Sequence, residues 1–89
     1  MSRFDDALVA LGRTIRELRE EQGMSRRTLA QRAGMRTRRL RAIENARYEP
    51  TFDVIFALAR PLHIRPRDLI DRAEELTQDP IQPRPSDRA

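Results

Sequence analysis

Along the first quarter of the chain, Phe4, Leu8, Leu11, Ile15 and Leu18 follow one another at spacings of four, three, four and three residues. That spacing lays one apolar stripe along a helix of 3.6-residue period. Arg13, Arg16, Glu17, Glu20 and Glu21 fall on the wet side, so the pattern predicts a helix over 4–22. Gly23 follows, the residue type that most readily takes the left-handed conformation at a helix end. Ser25 is a good N-cap for a second helix over 26–33, with Leu29, Ala30 and Ala33 inward. Gly34 stops that helix after two turns, and Met35 is read as an apolar plug in the turn. A third short helix is expected over 36–44, with Leu40 and Ile43 on its inner side.

Residues 45–50 are polar and read as a loop. Thr51 is placed as the N-cap of a fourth helix, with Asp53 in its first turn, where a negative charge meets the positive end of the helix dipole. Phe52, Ile55, Leu58, Ala59 and Leu62 are expected to face inward. Pro61 has no N–H to donate, so the regular helix should end near Arg60. His63 falls where the chain must reverse and is expected in a left-handed conformation. Pro66 opens a fifth helix, 66–76, with Leu69, Ile70, Ala73 and Leu76 as its apolar side. Three prolines follow, Pro80, Pro83 and Pro85, with Ile81 as the one large apolar residue, which predicts a disordered tail over 77–89. No segment alternates apolar and polar residues as a strand would. The expected fold is all-α: five short helices around one core over 1–76.

At 89 residues, with 38% hydrophobic and 36% charged, the chain is one modest domain. Cysteine is absent, which excludes disulfides, thiolate metal sites and thiol nucleophiles. His63 is the single histidine, and no partner serine accompanies it: Ser2, Ser25 and Ser86 read as terminus, cap and tail. Gly12, Gly23 and Gly34 are isolated and form no phosphate loop. No enzyme activity, metal or cofactor is therefore expected. The absence of a long apolar run or a leader-like N-terminus makes a cytoplasmic protein without a membrane partner the default.

The net charge of +4 hides a sharp asymmetry. Residues 23–47 carry eight arginines (26, 27, 32, 36, 38, 39, 41 and 47) against Glu44 alone, a net +7, while both flanks are slightly acidic. Such a footprint suits a polyanion partner. All 18 basic residues are arginine, whose planar fork matches phosphate oxygens and guanine edges. The same stretch holds two short helices around Gly34, with small Ala30 where they would cross and Leu40 and Ile43 inward. Those are the requirements of a helix-turn-helix, whose second helix must leave one face free to enter a groove.

In these residues the chain resembles the phage-repressor-like helix-turn-helix domains, the XRE or Cro/CI type. The similar text is LREEQGMS at 18–25, LAQRAGM at 29–35, LRAIEN at 40–45 and PTFDVI at 50–55, ending at Leu58 and Ala59. The resemblance implies a lambda-repressor-like five-helix bundle, sequence-specific binding of a double-stranded DNA operator, and a homodimer, here expected through helix 66–76 and adjacent apolar surface. It also implies a nucleoid-associated transcriptional regulator, a repressor or autoregulator.

Roles carried over from the family fall on particular residues. Arg38 matches a position that touches base edges, and Thr37 and Ala42 match two more. Arg26 matches a position that usually holds glutamine and fixes the DNA backbone; Asn45 and Arg47 match phosphate contacts. Arg41 faces outward near the groove wall. Arg36 stands where the family commonly has a serine cap and is counted with the DNA-binding set; it also implies a helix that starts one residue later. Arg19 and Glu44 match an internal bridge between the first and third helices. Arg27, Arg32 and Arg39 read as a solvated face. Val9, Val54, Phe56, Ile70 and Leu76 exceed what one small core needs and mark contact surface. The competing reading is a protein-interaction module or antitoxin-like partner-binding protein on the same fold, which the clustered arginines disfavour.

Overall fold

The computed structural model describes residues 3–77, with side chains from Asp6 onward. The Phe4 side chain and the tail beyond Thr77 lie outside the described residues. Five helices follow in order: α1 Arg3–Glu21, α2 Arg26–Ala33, α3 Thr37–Glu44, α4 Phe52–Ala59 and α5 Pro66–Thr77. No strand occurs among the described residues.

Most of the core comes from the positions the apolar periodicity selects, although Leu8 is only half-buried and Ala10 and Met24 join from outside the expected stripes. Ile15, Leu29, Leu40, Leu58 and Leu69 bring one fully buried side chain from each helix, and Leu62 joins them from the turn after α4. Long α1 packs along α5 and against α3, α2 lies on α3 and α4, and α4 closes on α5. Gly12 explains how α1 and α3 come so close. A Cβ there would sit 2.5 Å from the Ile43 carbonyl oxygen and 2.6 Å from that of Glu44, so only glycine lets the α3 C-terminus rest on α1.

Helix ends repeat one device. At Gly23 (φ 68°) and Gly34 (φ 72°) the backbone turns left-handed, and the next N–H folds back on the helix: Met24 to Arg19 O at 3.0 Å, Met35 to Ala30 O at 2.9 Å. The same geometry recurs at two residues with side chains. Ala46 (φ 58°) follows α3, with Arg47 N–H donating to Ala42 O at 2.8 Å; His63 (φ 56°) follows α4, with Ile64 N–H donating to Ala59 O at 3.1 Å. His63 thus takes the conformation expected of it.

Several expectations need correction. Helix α3 starts at Thr37, with Arg36 as an extended N-cap lacking a side-chain bond, so the span 36–44 shortens by a residue. Helix α5 runs to Thr77 instead of ending at 76. Thr51 occupies the N-cap of α4 but makes no capping bond, unlike Ser25, whose Oγ accepts from Thr28 N–H. Phe52 is 74% exposed, not inward. It lies at the edge of the Ile55–Leu58–Ala59–Leu62 stripe in the first turn, where little core remains to receive it. It pairs instead with Phe56, ring centroids 6.1 Å apart. Ile70 and Leu76 also leave the core, whereas Val54 packs against it.

Candidate nucleic-acid interface

Helix α3 is divided lengthwise. Leu40 and Ile43 are buried to within 1% of completely, which fixes the rotation of the helix and turns Arg38, Arg39 and Arg41 to solvent. Arg36 is exposed immediately before the first turn, and Thr37 and Ala42 are half-buried at the margin. Arg36, Arg38 and Ala42 line one open groove of about 670 Å³, with Gln31, Gly34, Met35, Arg39 and Tyr48 completing its wall. The groove thus runs between α3 and the α2–α3 turn, with Arg36 at the start of α3 and Arg38 and Ala42 on it. Thr37, Arg41, Asn45 and Arg47 lie outside that groove, the last two exposed beyond the helix C-terminus.

Two features of this surface were not read from the sequence. Arg39, assigned to a solvated face, sets its guanidinium over the Tyr48 ring, 5.2 Å from the centroid. A cation–π contact of this kind ties the loop after α3 to the helix itself. Only nine residues of separation connect the pair, and no local period would have found it. Arg32, on the same presumed face, reaches back so that Nη1 lies 3.5 Å from Met24 Sδ.

Beneath the surface, Glu44 anchors the end of α3. Arg19 Nε donates to Glu44 Oε2 at 2.8 Å and its Nη2 to Oε1 at 3.0 Å, a forked pair, while Nη1 donates to Met24 O at 2.8 Å. Both side chains are within a tenth of full burial. The bonds to Glu44 raise the Arg19 pKa above its ordinary value, with burial acting in the opposite sense, so the guanidinium stays charged. Removing one partner of such a buried pair costs about 3–5 kcal/mol. Arg26, which sequence reasoning sent wholly to the DNA backbone, also donates Nε to Glu44 Oε1, at 2.9 Å.

Among the described residues, no cluster of His, Cys, Asp or Glu has metal-binding geometry, and no helix is long and apolar enough to cross a membrane.

Comparison with known proteins places this geometry. A family model described as helix-turn-helix matches residues 15–69. The chain is 35% identical to the restriction-modification controller protein C.AhdI from Aeromonas hydrophila, with a TM-score of 0.68, over 70% of this chain and 94% of that one. Two structures of the clp gene regulator ClgR from Corynebacterium glutamicum are 22% identical, with TM-scores of 0.76 and 0.77. They cover 80% and 85% of this chain and 76% and 96% of their own, a likeness of fold. No curated protein sequence matches.

Proposed function

The chain belongs to the XRE-type helix-turn-helix family and is a DNA-binding transcriptional regulator; from that premise we propose that it reads a two-fold operator as a homodimer, with one α3 in each major groove, and acts as a repressor or autoregulator. The observation that carries the reading is the lengthwise division of α3. Complete burial of Leu40 holds the helix from behind while Arg38, Arg41 and the neighbouring Arg36 stand free. Arg38 is assigned to a guanine edge through O6 and N7, which a guanidinium fork spans bidentately. Ala42 offers a methyl contact, and Arg26, Asn45 and Arg47 take phosphates.

The dimer is assigned to exposed apolar surface. Val9 and Leu76 border one groove between α1 and α5, Ile70 is exposed farther back on α5, and Phe52 pairs with Phe56 on α4. Asp53 in the first turn of α4 and Arg60 at its C-cap are exposed, and both border one groove with Phe56. An acid near one end of a helix and a base near the other meet each other's counterparts when two copies run antiparallel, the arrangement produced by a two-fold axis perpendicular to them. That self-complementarity favours α4 over helix 66–76 as the centre of the dimer. The reading assigns the protein binding and no catalysis, since His63 serves as a helix-ending backbone residue.

Titration of a duplex at several salt concentrations tests this function. Two phosphate-facing arginines per protomer, Arg26 and Arg47, give a log–log slope of about −3 to −4 for a dimer, roughly a hundredfold loss of affinity between 50 and 200 mM salt. Flat salt dependence, or no duplex binding at low salt, would point to a protein-interaction module.

A further inference from the structure

Glu44 closes α3 with a side chain wholly removed from solvent, yet two arginines converge on it. Arg19 occupies Oε2 and one side of Oε1; Arg26, the first residue of α2, takes the other side of Oε1. One carboxylate balances only one of two guanidinium groups. The unit of charge left over lies toward solvent, because the Arg26 side chain is 27% exposed and that of Arg19 only 9%. Nη1 and Nη2 of Arg26 have no hydrogen-bond partner among the described residues. Nothing acidic stands in the first turn of α2 to repel an anion.

We propose that Glu44 is a positioning residue for DNA binding, holding Arg26 by its Nε edge so that the two terminal nitrogens present a ready-made fork to one backbone phosphate. The inference rests on the phosphate role given to Arg26 above and adds the source of its precision. A free arginine loses rotamer freedom when it docks on DNA; one already bonded through Nε loses less. Because Glu44 is also the last residue of the reading helix, the phosphate clamp on α2 and the base contacts of α3 share a single carboxylate. Their register along the duplex is thereby fixed together.

Full-length Arg26→Ala and Arg26→Lys, titrated with a specific and an unrelated duplex across a salt series, test the proposal. Arg26→Ala is expected to weaken binding to both duplexes and to reduce the salt slope by about one per protomer. Arg26→Lys keeps the charge but not the fork. It is expected to keep the wild-type slope and to bind about three- to tenfold more weakly at every salt, on both sequences. Wild-type affinity in Arg26→Lys would overturn the positioning role while leaving the phosphate contact intact. A wild-type slope in Arg26→Ala would remove the phosphate contact and the positioning role with it. A second readout is independent of DNA: the Arg26 Nε–H resonance of the free protein should be slow to exchange with solvent, and rapid exchange would show that Glu44 does not hold it.

Discussion

Arg38 and Leu40 stand two residues apart on α3 and meet opposite environments, one open to solvent and the other wholly enclosed. Everything assigned to Arg38 depends on what Leu40 does behind it, since a helix with a locked inner side has no freedom to rotate its outer one. Arg38→Ala is therefore expected to cost about 1–3 kcal/mol on the preferred operator and to relax discrimination at one base pair. The check is to measure affinity for the operator and for single-base variants of it. Uniform weakening across all sequences would make Arg38 a phosphate contact instead. At this scale, residues with strong conformational habits were legible: Gly23 and Gly34 end helices, Ser25 caps α2, and His63 takes the left-handed turn. Ala46 adopts the same positive φ, and nothing in an alanine announces it. Arg26 was legible as a contact to the DNA backbone but not as a partner of Glu44; that bond spans 18 residues and belongs to the tertiary structure.

Between elements, the relation of α1 to α3 decides how the reading helix is presented. Gly12 lets the helices touch backbone to backbone, and Arg19 with Glu44 locks them a short way along the same seam. The bridge could be anticipated because the two residues sit in matching family positions. Gly12 could not, because a glycine inside a helix looks like a weak point until the carbonyls facing it are known. Gly12→Ala improves local helix propensity by up to about 1 kcal/mol, so propensity alone forecasts a more stable protein. The 2.5 Å approach to the Ile43 carbonyl opposes this, and overpacking of this kind costs about 1–3 kcal/mol. Chemical denaturation is expected to show net destabilisation, with weaker operator binding from a displaced α3. A stabilised Gly12→Ala protein would mean that α1 and α3 are not in such close contact. The α4 misreading had a related cause: periodicity shows which residues can share a face, but not how far the core extends beneath the first turn, so Phe52 was counted inward.

For the molecule as a whole, the segregation of charge is the property most plainly written in the chain. Residues 23–47 hold a net +7 in α2, α3 and the turns beside them, with Arg27, Arg36, Arg38, Arg39, Arg41 and Arg47 exposed at their surface, and the slightly acidic flanks supply the rest of the bundle. Long-range attraction of a polyanion to that surface follows from charge alone, whereas the choice of base pairs depends on α3 geometry. Symmetry was the least legible property, because an exposed apolar pair such as Phe52 and Phe56 states that something covers it without stating what. Selection of bound duplexes from a random pool examines both at once. The expected result is an enriched inverted repeat with half-site centres one helical turn apart, ~34–36 Å, and a guanine in each half that is lost from the selection when Arg38 is alanine. A pool that emerges without any enriched sequence would contradict the assignment of α3 as the reading helix.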